Sequence, residues 1–541
     1  MMRHIVALAA SCAWLLAALA QTPSAQEGAK TGPHEGVAFE TSDNCLACHN
    51  GLTSPSGEDV SIGVAWRASI MANASRDPYW LAGVRRETMD HPTKKEAIED
   101  ECSICHMPMA RTTARAAGRP GEVFRLAPGA GDSEEHRLAA DGVSCTLCHQ
   151  ISPERLGTRE SFVGGFVIGQ PEGGERRMFG PFDVTAGRAA LMRSATGVRP
   201  AESEHIRRSE LCATCHTLIT EAFGPKGEVI GSLPEQVPYQ EWRHSAFATE
   251  RSCQSCHMPD VAATPAASVV SEPRERLARH TFLGGNFFML RMLNRFRAEL
   301  GVTAPSQELD AAAHATIRQL AEDTASVSIA RAAVVEGRLE MDVAVSNRTG
   351  HKLPTGYPSR RAWLHVLVRD RQGRTVYESG AVRPTGSIVG NDNDADAGRF
   401  EPHYEEIRTA DEVQIYEAIM GDRTSSVTTG LLQATRYLKD NRLLPRGFDK
   451  GSATADIAVH GSAASDQNFT GDGDRVRYVI DLTGAASPVA VLVELRYQTI
   501  AYRWTDNLRR YDAFEPRRFV SFYDAMAESS STVLARATTR F

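Results

Sequence analysis

The sequence predicts a multidomain protein in which a mostly helical and irregular region precedes an all-β, sandwich-like domain. Three observations lead to this division. Residues 27–300 are rich in Gly, Pro and Arg and show little regular hydrophobic periodicity. Every cysteine of the chain lies before residue 260. From about residue 325, short segments that alternate apolar and polar residues take over, and this period of two is typical of half-buried strands.

The composition is that of an ordinary water-exposed globular protein. Of the 541 residues, 42% are hydrophobic and 23% are charged, and this length is enough for several domains. The formal net charge of −7 argues against nucleic acid as a partner, because nucleic-acid binders normally carry a basic face.

Residues 1–20 have the pattern of a secretory signal peptide. Arg3 gives a short positive start, an apolar run that includes Cys12 extends from Ile5 to Leu19, and Ala18-Leu19-Ala20 is a small-residue cleavage site. The alternative, a membrane anchor, needs about 20 apolar residues, and no later segment is long and apolar enough to span a bilayer. We therefore expect export to the periplasm.

The ten cysteines that follow fall into five C-x-x-C pairs, and a histidine follows each pair directly. The five motifs are Cys45-Leu46-Ala47-Cys48-His49, Cys102-Ser103-Ile104-Cys105-His106, Cys145-Thr146-Leu147-Cys148-His149, Cys212-Ala213-Thr214-Cys215-His216 and Cys253-Gln254-Ser255-Cys256-His257.

This pattern is the attachment signature of c-type haem, in which two thiols bind the vinyl groups and the histidine is the proximal iron ligand. Three alternatives explain less. Zinc sites use two such pairs per metal, which leaves one pair over. A thioredoxin-like motif accounts for one pair, and disulfides across two residues are strained and do not explain the histidines. The sequence thus predicts five covalently bound haems c.

The haems explain how residues 27–300 can fold with so little periodicity, because flat apolar groups supply a core for short helices and loops. We expect a pentahaem cytochrome c domain here, with helices over 77–89, 92–102 and 286–300. A connecting helix is predicted within 301–324, over 306–324.

Residues 325–541 are predicted to form the sandwich-like domain. Alternating segments at 339–345, 363–368, 477–482 and 489–495 indicate strands, and a helical insertion is expected near 428–440. The acidic run at 389–398 could hold calcium through oxygen ligands, although such runs are more often solvated loops.

The group on the far side of each iron decides between electron transfer and catalysis. A second histidine or a methionine favours electron transfer, whereas an open position lets a substrate bind. Candidate distal ligands are His280, before a pair of glycines, and His351, in the turn Gly350–Gly356; the others are His205, His91, His136, His244 and Met71.

Three stretches of the motif-bearing region resemble a known family. They are Trp66–Met71 with Arg76-Asp77-Pro78; Asp141–Gln150; and the pair Cys105-His106-Met107-Pro108 and Cys256-His257-Met258-Pro259. Over residues 41–290 the chain resembles periplasmic multihaem c-type cytochromes, and its haem domain is similar to the tetrahaem cytochrome of ammonia-oxidising bacteria. The resemblance implies an electron shuttle with closely stacked haem pairs, and a tail that looks like a fused β domain. Five motifs depart from the tetrahaem pattern.

Three classes of function follow. The first is periplasmic electron transfer through five haems, with redox partner proteins as donor and acceptor and with no catalytic residues. The second is a multihaem oxidoreductase with one open haem that acts on a small nitrogen or sulfur compound. The third is docking to a membrane complex through the β domain.

Overall fold

The computed structural model describes residues 39–169, 171 and 175–541. The predicted signal peptide at 1–20 and the first residues of the predicted haem domain lie outside the described residues. Within the described ranges, no helix is both long and apolar enough to cross a bilayer.

The motif-bearing region is built from short helices joined by irregular segments, as predicted. Its helices of six or more residues are Ile62–Arg67, Pro78–Asp90, Lys95–His106, Pro108–Ala116, Glu134–Ala140, Ala186–Thr196, Pro238–Arg243, Phe287–Arg295 and Ser306–Asp323. Single helical turns at Asp43–Leu46, Cys145–Cys148, Ser209–Ala213 and Cys253–His257 carry parts of four motifs.

The predicted helix starts and ends can be compared directly with these bounds. Helix Pro78–Asp90 begins as predicted, because the Asp77 carboxylate accepts hydrogen bonds from the backbone N–H of Tyr79 at 2.8 Å and of Trp80 at 3.1 Å. The predicted helix 286–300 ends earlier, at Arg295, where the backbone turns and Phe296 stacks on Phe522 with ring centroids 3.8 Å apart.

Four two-stranded sheets complete the motif-bearing region. The pair Arg176–Gly180 and Val198–Glu202 is parallel, and the other three pairs are antiparallel. These antiparallel pairs are Leu218–Phe223 with Val229–Gln236, Asp260–Val261 with Leu277–Ala278, and Thr264–Pro265 with Pro273–Arg274.

Two larger sheets follow. The four-stranded sheet has the order Glu406–Ile407, Asp474–Asp481, Arg338–Asn347, Ala325–Val335. The seven-stranded sheet has the order Val427–Thr428, Ile415–Gly421, Arg361–Arg369, Ala490–Gln498, Ser531–Arg540, with Thr375–Ser379 beside Arg361–Arg369 and Arg436–Asp440 beside Ile415–Gly421. All four strands predicted from alternation are therefore present.

The two large sheets share one hydrophobic core, as in a sandwich. Leu339, Met341 and Val343 project from the four-stranded sheet, and Leu364 and Val366 project from the seven-stranded sheet. Along Arg338–Asn347 every second residue is buried, which is the period of two that predicted the strand, whereas Arg361–Arg369 in the middle of its sheet is buried over most of its length.

This core continues into the motif-bearing region. Phe287 lies 6.3 Å from Tyr497 and Phe288 lies 5.6 Å from Tyr523, measured between ring centroids, and both phenylalanines are fully buried. The first helix after the motifs therefore belongs to the same core as the sheets, while a second buried cluster around Leu81, Leu126 and Ile168 lies within the motif-bearing region.

The prediction of an all-β region over 325–541 is wrong in part, because the region also contains α-helices, the shortest of which is Asp392–Ala395. Residues Tyr502–Leu508 and Phe514–Asp524 are helices. The second helix packs on helix Pro78–Asp90, where Tyr79 lies 5.0 Å from Phe519 and Arg85 forms two 2.8 Å hydrogen bonds with Glu515. The buried face of this helix packs against the motif-bearing region. The helix is therefore part of the contact between the two regions and not part of the sheets.

The predicted helical insertion near 428–440 is also wrong. Leu431–Gln433 form a single 3₁₀ turn, and Arg436–Asp440 form a strand. The apolar residues there have a spacing that also fits a helix, but Tyr437 is buried and its hydroxyl donates to the Pro234 carbonyl at 2.8 Å. This tertiary contact favours the strand.

Candidate haem-binding site

All five motifs face one continuous cavity. The cavity has a volume of about 4110 Å³, and its lining includes each of the ten motif cysteines and the five motif histidines. Ordinary small-molecule pockets reach about 1,000 Å³, so this cavity is sized for several large ligands. None of the ten motif cysteines forms a disulfide.

Local helical structure explains why each motif presents its three side chains together. The backbone N–H of His49 donates to the Cys45 carbonyl at 3.1 Å, and His216 donates to Cys212 at 3.0 Å. This i to i+4 bond closes one helical turn, so the two thiols and the imidazole point to the same side.

Four of the five motif histidines are held by a backbone carbonyl at Nδ1. The bonds are His49 to Ala266 at 2.7 Å, His106 to Ala74 at 3.0 Å, His149 to Phe179 at 2.5 Å, and His257 to Leu283. A carbonyl at Nδ1 fixes the tautomer whose Nε2 carries a free lone pair, which is how metal-binding histidines are usually oriented.

Two histidines far away in sequence face two of these rings. His280 lies opposite His149, with centroids 6.3 Å apart and planes 19° apart, and His351 lies opposite His257, with centroids 6.3 Å apart and planes 13° apart. Metal–imidazole bonds of about 2 Å on both sides of one ion place the two ring centroids about 6 Å apart. Both pairs have this separation.

The tautomers of the opposing histidines agree with this geometry. Nδ1 of His280 bonds to the Ala278 carbonyl at 3.1 Å, and Nδ1 of His351 bonds to the Lys352 carbonyl at 2.9 Å. Removal from bulk water, together with the facing imidazole, lowers the pKa of His280 to about 3 and that of His351 to about 4. Both rings are therefore neutral at pH 7, with Nε2 available to a metal.

The other candidate distal ligands lie elsewhere. Both ring nitrogens of His205 are engaged, with the Ser203 hydroxyl at 2.7 Å and the Ile151 carbonyl at 2.8 Å. His136 is engaged in the same way by Ser133 and by the Arg125 carbonyl. Neither residue lines the cavity.

The three remaining candidate distal ligands are His91, His244 and Met71. His91 is buried against Phe223, outside the cavity lining, and its Nε2 has no hydrogen-bond partner. His244 lines the cavity, but its Nε2 contacts the Asp449 carbonyl at 2.9 Å. Met71 also lines the cavity. Of the seven candidates, the structure thus sets only His280 and His351 opposite a motif histidine.

Thiols of different motifs lie close together. Cys45 interacts with Cys145, Cys105 with Cys215, and Cys212 with Cys253. Cys148 lies within electrostatic range of Cys215. The fourth motif therefore neighbours the second, third and fifth, while the first neighbours the third. Two of these four contacts join motifs that are not consecutive along the chain, so the order of the motifs in the sequence does not predict the arrangement.

A buried ionic cluster holds the turn that presents His351. The Lys352 ammonium donates to Asp440 at 2.7 Å, and Arg442 donates to both oxygens of Asp440 at 2.8 and 2.7 Å. Arg442 also pairs with Glu241 at 2.9 Å, and Glu241 accepts from the Lys352 backbone N–H and from the Thr355 hydroxyl. The cluster joins both ends of the turn to the sheet and to helix Pro238–Arg243.

Replacing Asp440 with asparagine is expected to destabilise the protein by about 3–5 kcal/mol, because Lys352 and Arg442 would remain buried without their shared anion. Although burial opposes ionisation, these two cations hold the pKa of Asp440 well below its usual range. Its stabilisation should therefore be complete above about pH 4 and be lost only in strong acid. Denaturant unfolding checks this, with the exposed Asp472→Asn as the matched control at less than about 0.5 kcal/mol. Equal effects of the two variants would contradict it.

Two other groups of residues resemble metal sites, but their side chains are not available to bind a metal. In the acidic run at 389–398, the Asp394 carboxylate is paired with Arg361 at 2.8 and 2.9 Å, so it is not available to calcium. This removes the main support for the calcium alternative.

His403, Asp466 and Asp474 also form a buried cluster. Nδ1 of His403 accepts from the amide groups of Gln414 at 2.9 Å and Asn441 at 3.1 Å. Nε2 must then carry the proton that it donates to Asp466 at 3.1 Å, and it has no lone pair for a metal.

Comparison with known proteins identifies the class of fold. No protein family and no curated protein matches this sequence. Among solved structures, the chain is similar to a penta-heme cytochrome c552 from Thermochromatium tepidum, with a TM-score of 0.53 and 16% identity. The match covers 93% of this chain and 99% of that chain, so it extends over the motifs and the large sheets. The chain therefore has the fold of a multihaem c-type cytochrome.

Proposed function

We propose that this protein is an extracytoplasmic electron-transfer protein that carries five covalently bound haems c. The observation that supports this most strongly is the pair of facing histidines. His149 with His280, and His257 with His351, have the ring separation that two imidazoles would have if they held one metal ion between them. Haem supplies reversible one-electron chemistry when bound, and two protein ligands on one iron keep substrates away from it.

The ten motif thiols would anchor the haems, and the five motif histidines would be their proximal ligands. The contacts between thiols of neighbouring motifs support close spacing of the five groups, with the fourth motif at the centre. Close spacing is what electron exchange between groups requires. Export through the segment at 1–20 agrees with the periplasmic setting in which we place the protein, with redox proteins as donor and acceptor.

The alternative of an oxidoreductase has a specific observation in its favour. Among the described residues, the rings of His49, His106 and His216 have no parallel histidine at the separation seen in the other two pairs. One of these positions could remain open to a small nitrogen or sulfur compound. Docking to a membrane complex through the large sheets is compatible with either function.

Voltammetry of the protein adsorbed on an electrode tests the proposal. The protein should be made in a host that matures c-type cytochromes. We expect reversible one-electron signals that stay unchanged when hydroxylamine, nitrite or sulfite is added. A sustained catalytic current with one of these compounds would reject the pure carrier in favour of the oxidoreductase, and the absence of any reversible signal would reject both.

A further inference from the structure

Glu235 is a buried carboxyl group in the wall of the haem cavity, next to the second motif. It lies on strand Val229–Gln236, is 6% exposed and lines the cavity. Its one hydrogen-bond donor is the hydroxyl of Thr220 on the paired strand, at 2.6 Å. None of the described residues forms an ion pair with it.

The groups that face Glu235 are acidic or neutral. Glu87, from helix Pro78–Asp90, and Glu101, from helix Lys95–His106, both line the same part of the cavity and act on it electrostatically. The other titratable groups within electrostatic range are the phenols of Tyr357 and Tyr437 and the thiols of Cys102 and Cys105, and the pKa of each is raised.

The carboxylate of Glu87 is also only partly hydrogen-bonded, which is a second and independent observation. One of its oxygens accepts from the Leu431 backbone N–H at 2.9 Å, but the other is buried with no partner. The nearest buried cation on the same helix, Arg86, is directed toward Asp90 and Thr429. Arg86 is still close enough to Glu87 to offset part of the effect of burial on its pKa, whereas none of the described residues forms an ion pair with Glu235.

This environment raises the proton affinity of Glu235. Burial, and then repulsion by Glu87 and Glu101, outweigh the Thr220 hydroxyl and raise the pKa of Glu235 to about 7. Glu235 can therefore exchange a proton near neutral pH, and a small change in nearby charge alters its occupancy.

The cluster lies beside the second haem-attachment site. Burial and the carboxyl groups of Glu235, Glu101 and Glu87 raise the pKa of the Cys102 thiol, which shows that these acids are within electrostatic range of the point where a haem would be bonded. An added electron at that haem would remove one unit of positive charge near Glu235.

We propose that Glu235 is a proton-binding site coupled to the redox state of the second haem-attachment site, so that the protein takes up a proton with an electron there. This inference rests on the proposed function. The electron comes from the donor protein, or from dithionite in a titration. The proton comes from solvent and converts the Glu235 carboxylate to the acid, so that the local charge is unchanged. Reoxidation passes the electron to the acceptor and releases the proton from Glu235 to solvent.

The expected signature is a pH-dependent reduction potential at one haem. Because the reduced state binds the proton more tightly, this potential should fall as pH rises above the pKa of Glu235 in the oxidised protein. The limiting slope for one proton per electron is about 59 mV per pH unit, since tenfold in a one-electron equilibrium corresponds to that value. Spectroelectrochemical titration between about pH 6 and pH 9 would resolve this slope.

Glu235→Gln should remove this slope, because the amide does not titrate but can still accept from Thr220. The matched control is Glu299→Gln, an exposed carboxyl outside the cavity lining, which should keep the wild-type slope. Thr220→Val is a milder second variant. It removes the donor that lowers the pKa of Glu235, so the sloping region should move to higher pH without disappearing.

Haem content is measured first on the same samples, which separates the two claims. A chain without haem would overturn the proposed function. A haem-loaded protein with no pH-dependent potential, or with the same slope in Glu235→Gln, would overturn only the proton site. If Glu235→Gln does not fold, Thr220→Val provides the test instead. The proton site would be overturned if the pH range over which the potential falls were the same in Thr220→Val as in the wild type.

Discussion

Replacing His351 with alanine in the haem-loaded protein is expected to convert one haem in five from low-spin to high-spin. The ring of His351 faces that of His257 at 6.3 Å, and it is the only protein group that the structure sets opposite His257 among the described residues. Without it, the iron would keep a single protein ligand and become open to water. Electron paramagnetic resonance of the oxidised protein should show one new high-spin signal, equal to one fifth of the iron.

Three further variants sharpen this experiment. His280→Ala should give the same result at the third motif, because His280 faces His149 in the same geometry. His351→Met should stay low-spin with a higher potential, since methionine can ligate the iron and methionine–histidine ligation raises it. His314→Ala is the control, because His314 is exposed on helix Ser306–Asp323 and pairs only with Asp310. An unchanged low-spin signal in His351→Ala would contradict the assignment.

Replacing both Cys212 and Cys215 with alanine is expected to unfold the centre of the motif-bearing region. One fifth of the 4110 Å³ cavity is about 800 Å³. Without the haem that we place there, the apolar side chains around that volume would be exposed to water, and their burial would no longer stabilise the surrounding short helices and loops.

Haem content per chain and limited proteolysis measure this effect. The double variant should be degraded rapidly or be recovered with fewer than five haems. The matched control is Thr214→Ala, between the same two cysteines, which loses the hydrogen bonds of its hydroxyl to the Leu211 carbonyl and the Cys215 thiol, worth about 1 kcal/mol, and should keep every haem. A double variant as resistant as the control would show that the haem at the fourth motif is not part of the core.

Much of this structure could be predicted from local sequence. The five C-x-x-C-H motifs could be located from the sequence because each is contained in five consecutive positions. The strands at 339–345 and 489–495 were predicted correctly because alternation directly reflects which face is buried. Helix Pro78–Asp90 was predicted because Asp77 caps it locally.

The features that could not be predicted from the sequence depend on contacts between segments that are distant along the chain. Helix Phe514–Asp524 is stabilised by Tyr79 and Arg85, more than 400 residues away. His280 and His205 look alike in sequence, and only the fold shows that one faces His149 while the other is held by Ser203 and Ile151. The acidic neighbours of Glu235 likewise come from two helices far from its own strand.

Mass spectrometry of the denatured, thiol-reduced protein tests the central claim most directly, because only covalently bound haem survives those conditions. The protein should be produced with c-type maturation. The account predicts the mass of the polypeptide plus five haems, with no thiol free to react with an alkylating reagent. The mass of the bare polypeptide, or ten thiols that all react with the reagent, would contradict it.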